Sequence, residues 1–147
     1  MTGVAEALAL ITAATNGLAG IVSGVLWWRV DPRGFAWVLL RVGQAAAVAQ
    51  AIGAGVLAVG GFDPADGLFW LYALLPVAVG FVAEQLRLTA AQTVLDARGL
   101  ENAEAVGRLD EEGQRSVVLA IVRREMGTLC AAALVTSFLA LRALGTI

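Results

Sequence analysis

Seven polar side chains stand out by position: Arg41, Gln44, Glu84, Gln85, Arg87, Arg124 and Glu125 interrupt or border otherwise apolar runs. Charges within apolar helices of this kind are costly, tend to face the interior and pair with their opposites. Arg41 lies about seven residues into one apolar segment, roughly 10 Å at a rise of 1.5 Å per residue. Glu84 falls at comparable depth near the end of the next segment, so the two can meet. Gln44 and Gln85 can join them, and Arg124 with Glu125 can close the cluster from a later segment. Glu84 and Arg87 are three apart, a spacing at which helical side chains pair. Two kinds of chemistry fit this constellation. One is a polar site open to one membrane face: a proton or ion relay, or a cradle for an anionic ligand or lipid head group. The other, which we favour, is an ion-pair network that locks three helices while the arginines reach toward head groups.

Other chemistries are poorly supplied. The chain has no His and one Cys. A haem therefore lacks its usual axial ligand, and a CxxC metal or redox pair and an internal disulfide are both excluded. Met126 and Cys130 share a helix face, and soft sulfur suits Cu(I), but two ligands without a partner make a poor site, and packing is the expected role. No cofactor and no catalytic or metal-binding residue is predicted. The segment 88–122 mixes Arg98, Arg108 and Arg115 with six acidic residues, which argues against a nucleic-acid surface.

The elements that position these residues are membrane helices. Of 147 residues, 59% are hydrophobic and 15% charged, against about 45–50% and about 25% in soluble domains. Apolar runs predict four spans, at about residues 4–28, 35–60, 68–88 and 126–144. The first lacks a basic leader and is too long for a signal-peptide core, so an uncleaved span is expected. Trp27-Trp28-Arg29 and Phe69, Trp70 and Tyr72 read as interfacial belts. Asp31-Pro32-Arg33-Gly34 and Gly60-Gly61-Phe62-Asp63-Pro64-Ala-Asp66-Gly67 read as turns, and Pro76 predicts a kink in span three. Beyond that span the helix is expected to run on to Arg98 and stop at Gly99-Leu100 in a Schellman motif. Asp110-Glu111-Glu112 starts the last helix. The fold class is thus all-α: a membrane-spanning four-helix bundle in one domain, residues 1–147, with cytoplasmic extensions of helices 3 and 4 joined through about 89–125. The stripes Leu88, Ala91, Leu95 and Val118, Ile121, Val122 suit an antiparallel pair under the membrane or a layer on the head groups.

Small residues predict the close contacts. Gly20 and Gly24 form a GxxxG, suited either to a dimer face or to a tight contact within the chain. Gly43, Ala47, Ala51 and Gly55 recur every fourth position and predict a bare face turned to the crowded interior. The Gly34–Trp37 and Gly67–Trp70 spacings resemble each other, and recurrent capped turns account for this better than an inverted repeat.

All ten basic residues are Arg. Nine lie around the first and third connections, and Arg142 alone lies at the other end. The excess marks the cytoplasmic side, so a multi-pass protein of the cytoplasmic membrane with both termini outside is expected. Phe81-Val-Ala-Glu84-Gln85-Leu-Arg87, the stop Leu95-Asp96-Ala-Arg98-Gly99-Leu100 and Arg115 through Gly127 resemble small, uncharacterised four-span integral membrane proteins of GC-rich Gram-positive bacteria. The resemblance covers roughly residues 35–145 and implies four spans and no assigned activity, so it carries over no functional residues. The expected role is a non-enzymatic accessory or oligomeric membrane subunit, in contact with the bilayer and with its own copies or another membrane protein, and with no nucleic acid. The alternatives are a small transporter or channel using the Arg/Glu cluster, or a quinone- or haem-binding protein.

Overall fold

A computed structural model describes residues 1–31 and 33–147, so the Pro32 of the first turn lies outside the described residues. The described chain is helical: α1 Thr2–Trp28, α2 Gly34–Val59, α3 Leu68–Leu88, α4 Ala90–Ala97, α5 Ala103–Gly107 and α6 Glu111–Leu144. α1, α2, α3 and α6 are each long and apolar enough to cross a membrane. In hydrocarbon a spanning segment must satisfy its own backbone, and a helix does so within itself. At about 1.5 Å per residue α3 is roughly 31 Å long, close to a hydrocarbon core, and α6 is roughly 50 Å.

The four long helices alternate in direction. At one end Ala5 and Ala9 of α1 pack with Ala54 and Leu57 of α2, Phe69 and Ala73 of α3 and Ala143 of α6. At the other end Leu26, Ala36 and Met126 form a second cluster. Near the C-terminus the amides of Ala65 and Asp66 donate to the carbonyls of Ile147 and Thr146, tying the α2–α3 turn to the chain's end.

α1 and α6 pack along their lengths, and the sequence sets how closely. A Cβ on Gly17 would lie 3.1 Å from Ser137 Oγ, one on Gly20 2.7 Å from the Leu134 side chain, and one on Gly24 3.2 Å from Cys130 Sγ. Where α1 turns large at Trp27, α6 turns small at Gly127, whose Cβ would meet the indole nitrogen at 2.8 Å. Each step along α1 is matched by a step back along α6, and at every step a glycine on one helix admits a side chain of the other. The GxxxG pair is therefore occupied by α6 of the same chain.

The bare face expected on α2 is displaced. Its buried residues are Ala36, Leu40, Gly43, Ala47, Gln50, Ala54 and Leu57. Gly43 and Ala47 belong to this stripe, Ala51 sits at its margin and Gly55 is exposed. A Cβ on Gly55 would touch nothing within 4 Å, whereas one on Gly53 would meet Leu8. The cause is helical geometry: a strict four-residue step overshoots a 3.6-residue turn by about 40°, so three steps leave the buried face.

α3 passes through Pro76 as one helix, then is interrupted at Thr89 before α4 begins. The Thr89 hydroxyl donates back to the carbonyls of Gln85 and Leu86, a local bond that competes with the helix ladder and bends it. The expected continuous run to Arg98 is thus two helices. α4 ends as its sequence predicts: Gly99 has φ +66°, and the Leu100 and Gly99 amides donate to the carbonyls of Leu95 and Asp96. α5 and α6 start on side-chain caps, Asn102 accepting from the Ala105 amide and Asp110 from the Gly113 amide. α4 packs on the first turns of α6 through Val94, Leu95 and Val117.

The same Schellman geometry ends α1 and α2. Gly61 takes the left-handed position after α2, at φ +76°, but after α1 the position is held by Val30, at φ +54°. The Asp31 amide donates to Leu26 O and the Val30 amide to Trp27 O, so the motif is complete around a β-branched residue. That conformation costs an L-residue roughly 1–2 kcal/mol. Val30 is 45% exposed and loses little packing on truncation. Val30→Gly is therefore expected to raise stability by about 1 kcal/mol, read as a higher melting temperature in detergent.

Candidate functional site

The polar cluster forms where the first turns of α2 run beside the last turns of α3. Glu84 is its centre. One carboxylate oxygen accepts from Arg41 Nη1 at 2.5 Å and from Gln44 Nε2 at 2.8 Å. The other accepts from Arg87 Nε at 2.8 Å, one turn further along α3. Arg41 also donates to Gln44 Oε1 at 2.6 Å, so the α2 pair is itself tied. Helical spacing explains both couplings: 41 and 44, and 84 and 87, are three apart. The side chains of Glu84 and Arg87 are each 26% exposed and that of Arg41 is 50% exposed. With two arginines and one glutamate, the cluster carries a net positive charge.

Gln85, Arg124 and Glu125 take no part in these bonds among the described residues. Gln85 follows Glu84 directly, about 100° around the helix, and is exposed. Arg124 is exposed too, because α6 buries Met126, Leu129 and Cys130 here and so turns position 124 outward. At this end of α6 it is Arg123 that is engaged, its guanidinium 5.1 Å from the Trp27 ring centre. Arg142 stacks similarly on Tyr72 at the opposite end. Such contacts hold a charge over an aromatic face near an interface.

Deeper in, uncharged polar residues link helices. Asn16 is buried and donates through Nδ2 to Gly43 O at 2.8 Å and Thr12 O at 3.0 Å. A Cβ on Gly43 would lie 2.7 Å from Asn16 Oδ1, so the glycine makes room for the amide. Thr12 donates to Ala46 O, Ser137 to Ala13 O and the Cys130 thiol to Gly20 O. Cys130 is thus a buried packing residue. Asn16 is the functional-type residue that charge-based reading passes over; an amide one turn from Thr12 inside an apolar run was its signal.

Below the cluster lies a cavity of about 280 Å³ between α2, α3 and α6. Gln44 and Glu84 line its upper end, and Asn16 and Thr136 are its other polar residues. The rest is apolar, and small residues on three helices create it: Ala47 on α2, Gly80 on α3, and Ala132 and Ala133 on α6. α2 is held mainly by α1 and touches α6 little, which leaves the space unfilled. Exposed Val48, Val77 and Phe81 frame its mouth on the outer surface. No group of three or more His, Cys, Asp or Glu able to hold a metal occurs among the described residues. Compared with known protein families, with curated proteins and with solved structures, the chain matches none.

Proposed function

We propose that the chain is a non-enzymatic accessory subunit of the cytoplasmic membrane: a four-span bundle with both termini outside and with α4, α5 and the first turns of α6 in the cytoplasm. The observation that favours this accessory reading over a transport one is the engagement of Glu84. Both of its oxygens are engaged, by three donors from two helices. A relay carboxylate has to gain and lose a proton at an oxygen that can face its pathway; one held this way acts as a clamp between α2 and α3. The net positive charge of the cluster suits the head-group zone of the inner leaflet, where anionic lipid attracts Arg.

The clamp reading predicts that protein in liposomes passes no protons or ions above empty vesicles, and that Glu84→Gln leaves this baseline unchanged. A flux abolished by Glu84→Gln would establish the transport alternative instead. Orientation is supported by the nine-to-one distribution of Arg. A cysteine placed at Asp63 should react with an impermeant maleimide on intact cells, and one at Glu101 only after permeabilisation. The reverse pattern would invert the topology.

A further inference from the structure

The cavity and the cluster above it form one amphipathic site, and we infer that it holds a single acyl chain of an anionic glycerophospholipid whose phosphate sits against Arg41. The inference rests on the reading of the four long helices as membrane spans, with the cluster at head-group depth. In a bilayer, an apolar space open to the side is in contact with lipid chains, and burying a chain there restores packing contacts that an empty space forfeits. The cavity matches this occupant in three respects. Its walls are apolar apart from Asn16, Gln44, Glu84 and Thr136. Its volume, about 280 Å³, is at the lower edge of ligand sites and suits one narrow chain. Its mouth, between Val48, Val77 and Phe81, faces outward.

Charge selects the head group. Glu84 neutralises one arginine and the second leaves an excess positive charge at the Gln44–Glu84 end of the cavity. Arg41 gives Nη1 to Glu84 and Gln44 and, with its side chain half exposed, presents the rest of its guanidinium outward. A guanidinium fork binds a phosphate through paired N–H groups. A zwitterionic lipid offers the same phosphate with a compensating cation, so an anionic lipid is preferred by roughly fivefold for one arginine near the surface.

The test is native mass spectrometry of protein released from nanodiscs of equal phosphatidylglycerol and phosphatidylcholine. Wild type should retain one lipid per chain, with phosphatidylglycerol favoured about fivefold. Arg41→Gln should keep a bound lipid but lose that preference. Gly80→Leu should lose the lipid, since Gly80 lines the groove and a Cβ there has no atom within 4 Å. Ala132→Leu, from the α6 wall, gives the same readout should the α3 variant fail to fold. Lipid-free wild type, equal retention of both lipids, or a filled groove that still carries lipid would overturn the assignment. A dimer released without lipid would give the groove to a second copy of the chain and overturn it too. Recovery of the chain from cells without detergent would instead overturn the spanning reading beneath it.

Discussion

Gly20→Ile is expected to force α1 from α6 and cost about 3 kcal/mol, the upper part of the range for overpacking. The Cβ alone would sit 2.7 Å from Leu134 Cγ and Cδ2 and 3.2 Å from the Leu134 amide nitrogen. The Leu134 side chain is 44% exposed and can swing aside; its backbone cannot. Gly20→Ala therefore has a smaller cost, about 1 kcal/mol, and the β-branched residue the larger one. Separation of the helices would also break the thiol bond from Cys130 to Gly20 O and the bond from Ser137 to Ala13 O. Gly55→Ile is the control. No atom lies within 4 Å of its Cβ position, so its expected change is near zero. Unfolding titrations followed by circular dichroism in mild detergent give both numbers. Equal costs at the two positions would contradict the packing described above.

Glu84→Ala is expected to cost about 2 kcal/mol, between the values for exposed and for buried ion pairs. The intermediate figure follows from exposure: 26% for the Glu84 side chain and 50% for that of Arg41. Removing the carboxylate leaves Arg41, Gln44 and Arg87 converging on an empty position and places two unpaired positive charges close together. Arg41→Ala should cost less, since Gln44 and Arg87 still satisfy Glu84. Thermal melting in detergent ranks the two, and a larger loss for Arg41→Ala would contradict a network centred on Glu84.

The features legible in the sequence share a physical cause: strong local or one-dimensional signals. Residues of a long apolar run must be helical in lipid, so the four long helices follow from composition. The stop at Gly99 follows from the steric freedom of glycine at a left-handed position. The meeting of Arg41 with Glu84 follows from depth along two antiparallel helices, which is countable. The rest depends on rotation about helix axes and on surfaces that face each other, which are not. A period of four and a period of 3.6 agree over one turn and diverge over three, so Gly43 and Ala47 are buried and Gly55 is not. Arg124 and Glu125 lie a turn or more before Leu129, the first α6 residue to line the cavity with Glu84, and Arg124 also turns outward. Asn16 carries no charge, and its partner is a backbone carbonyl opposite a glycine, a pairing with no sequence signature of its own. The cavity arises from small residues on three helices, and Val30 occupies a conformation that its residue type argues against.

The central claim, that Glu84 clamps α2 to α3 through three donors from the two helices, is tested most directly by a double-mutant cycle on Arg41 and Glu84. Stabilities of wild type, Arg41→Ala, Glu84→Ala and the double variant would be measured in the same detergent. The clamp predicts a favourable coupling of about 1 kcal/mol or more, with the double variant less destabilised than the two single losses summed. Additive losses, with no coupling beyond the error of the cycle, would show that the two side chains do not hold the helices together and would contradict the account.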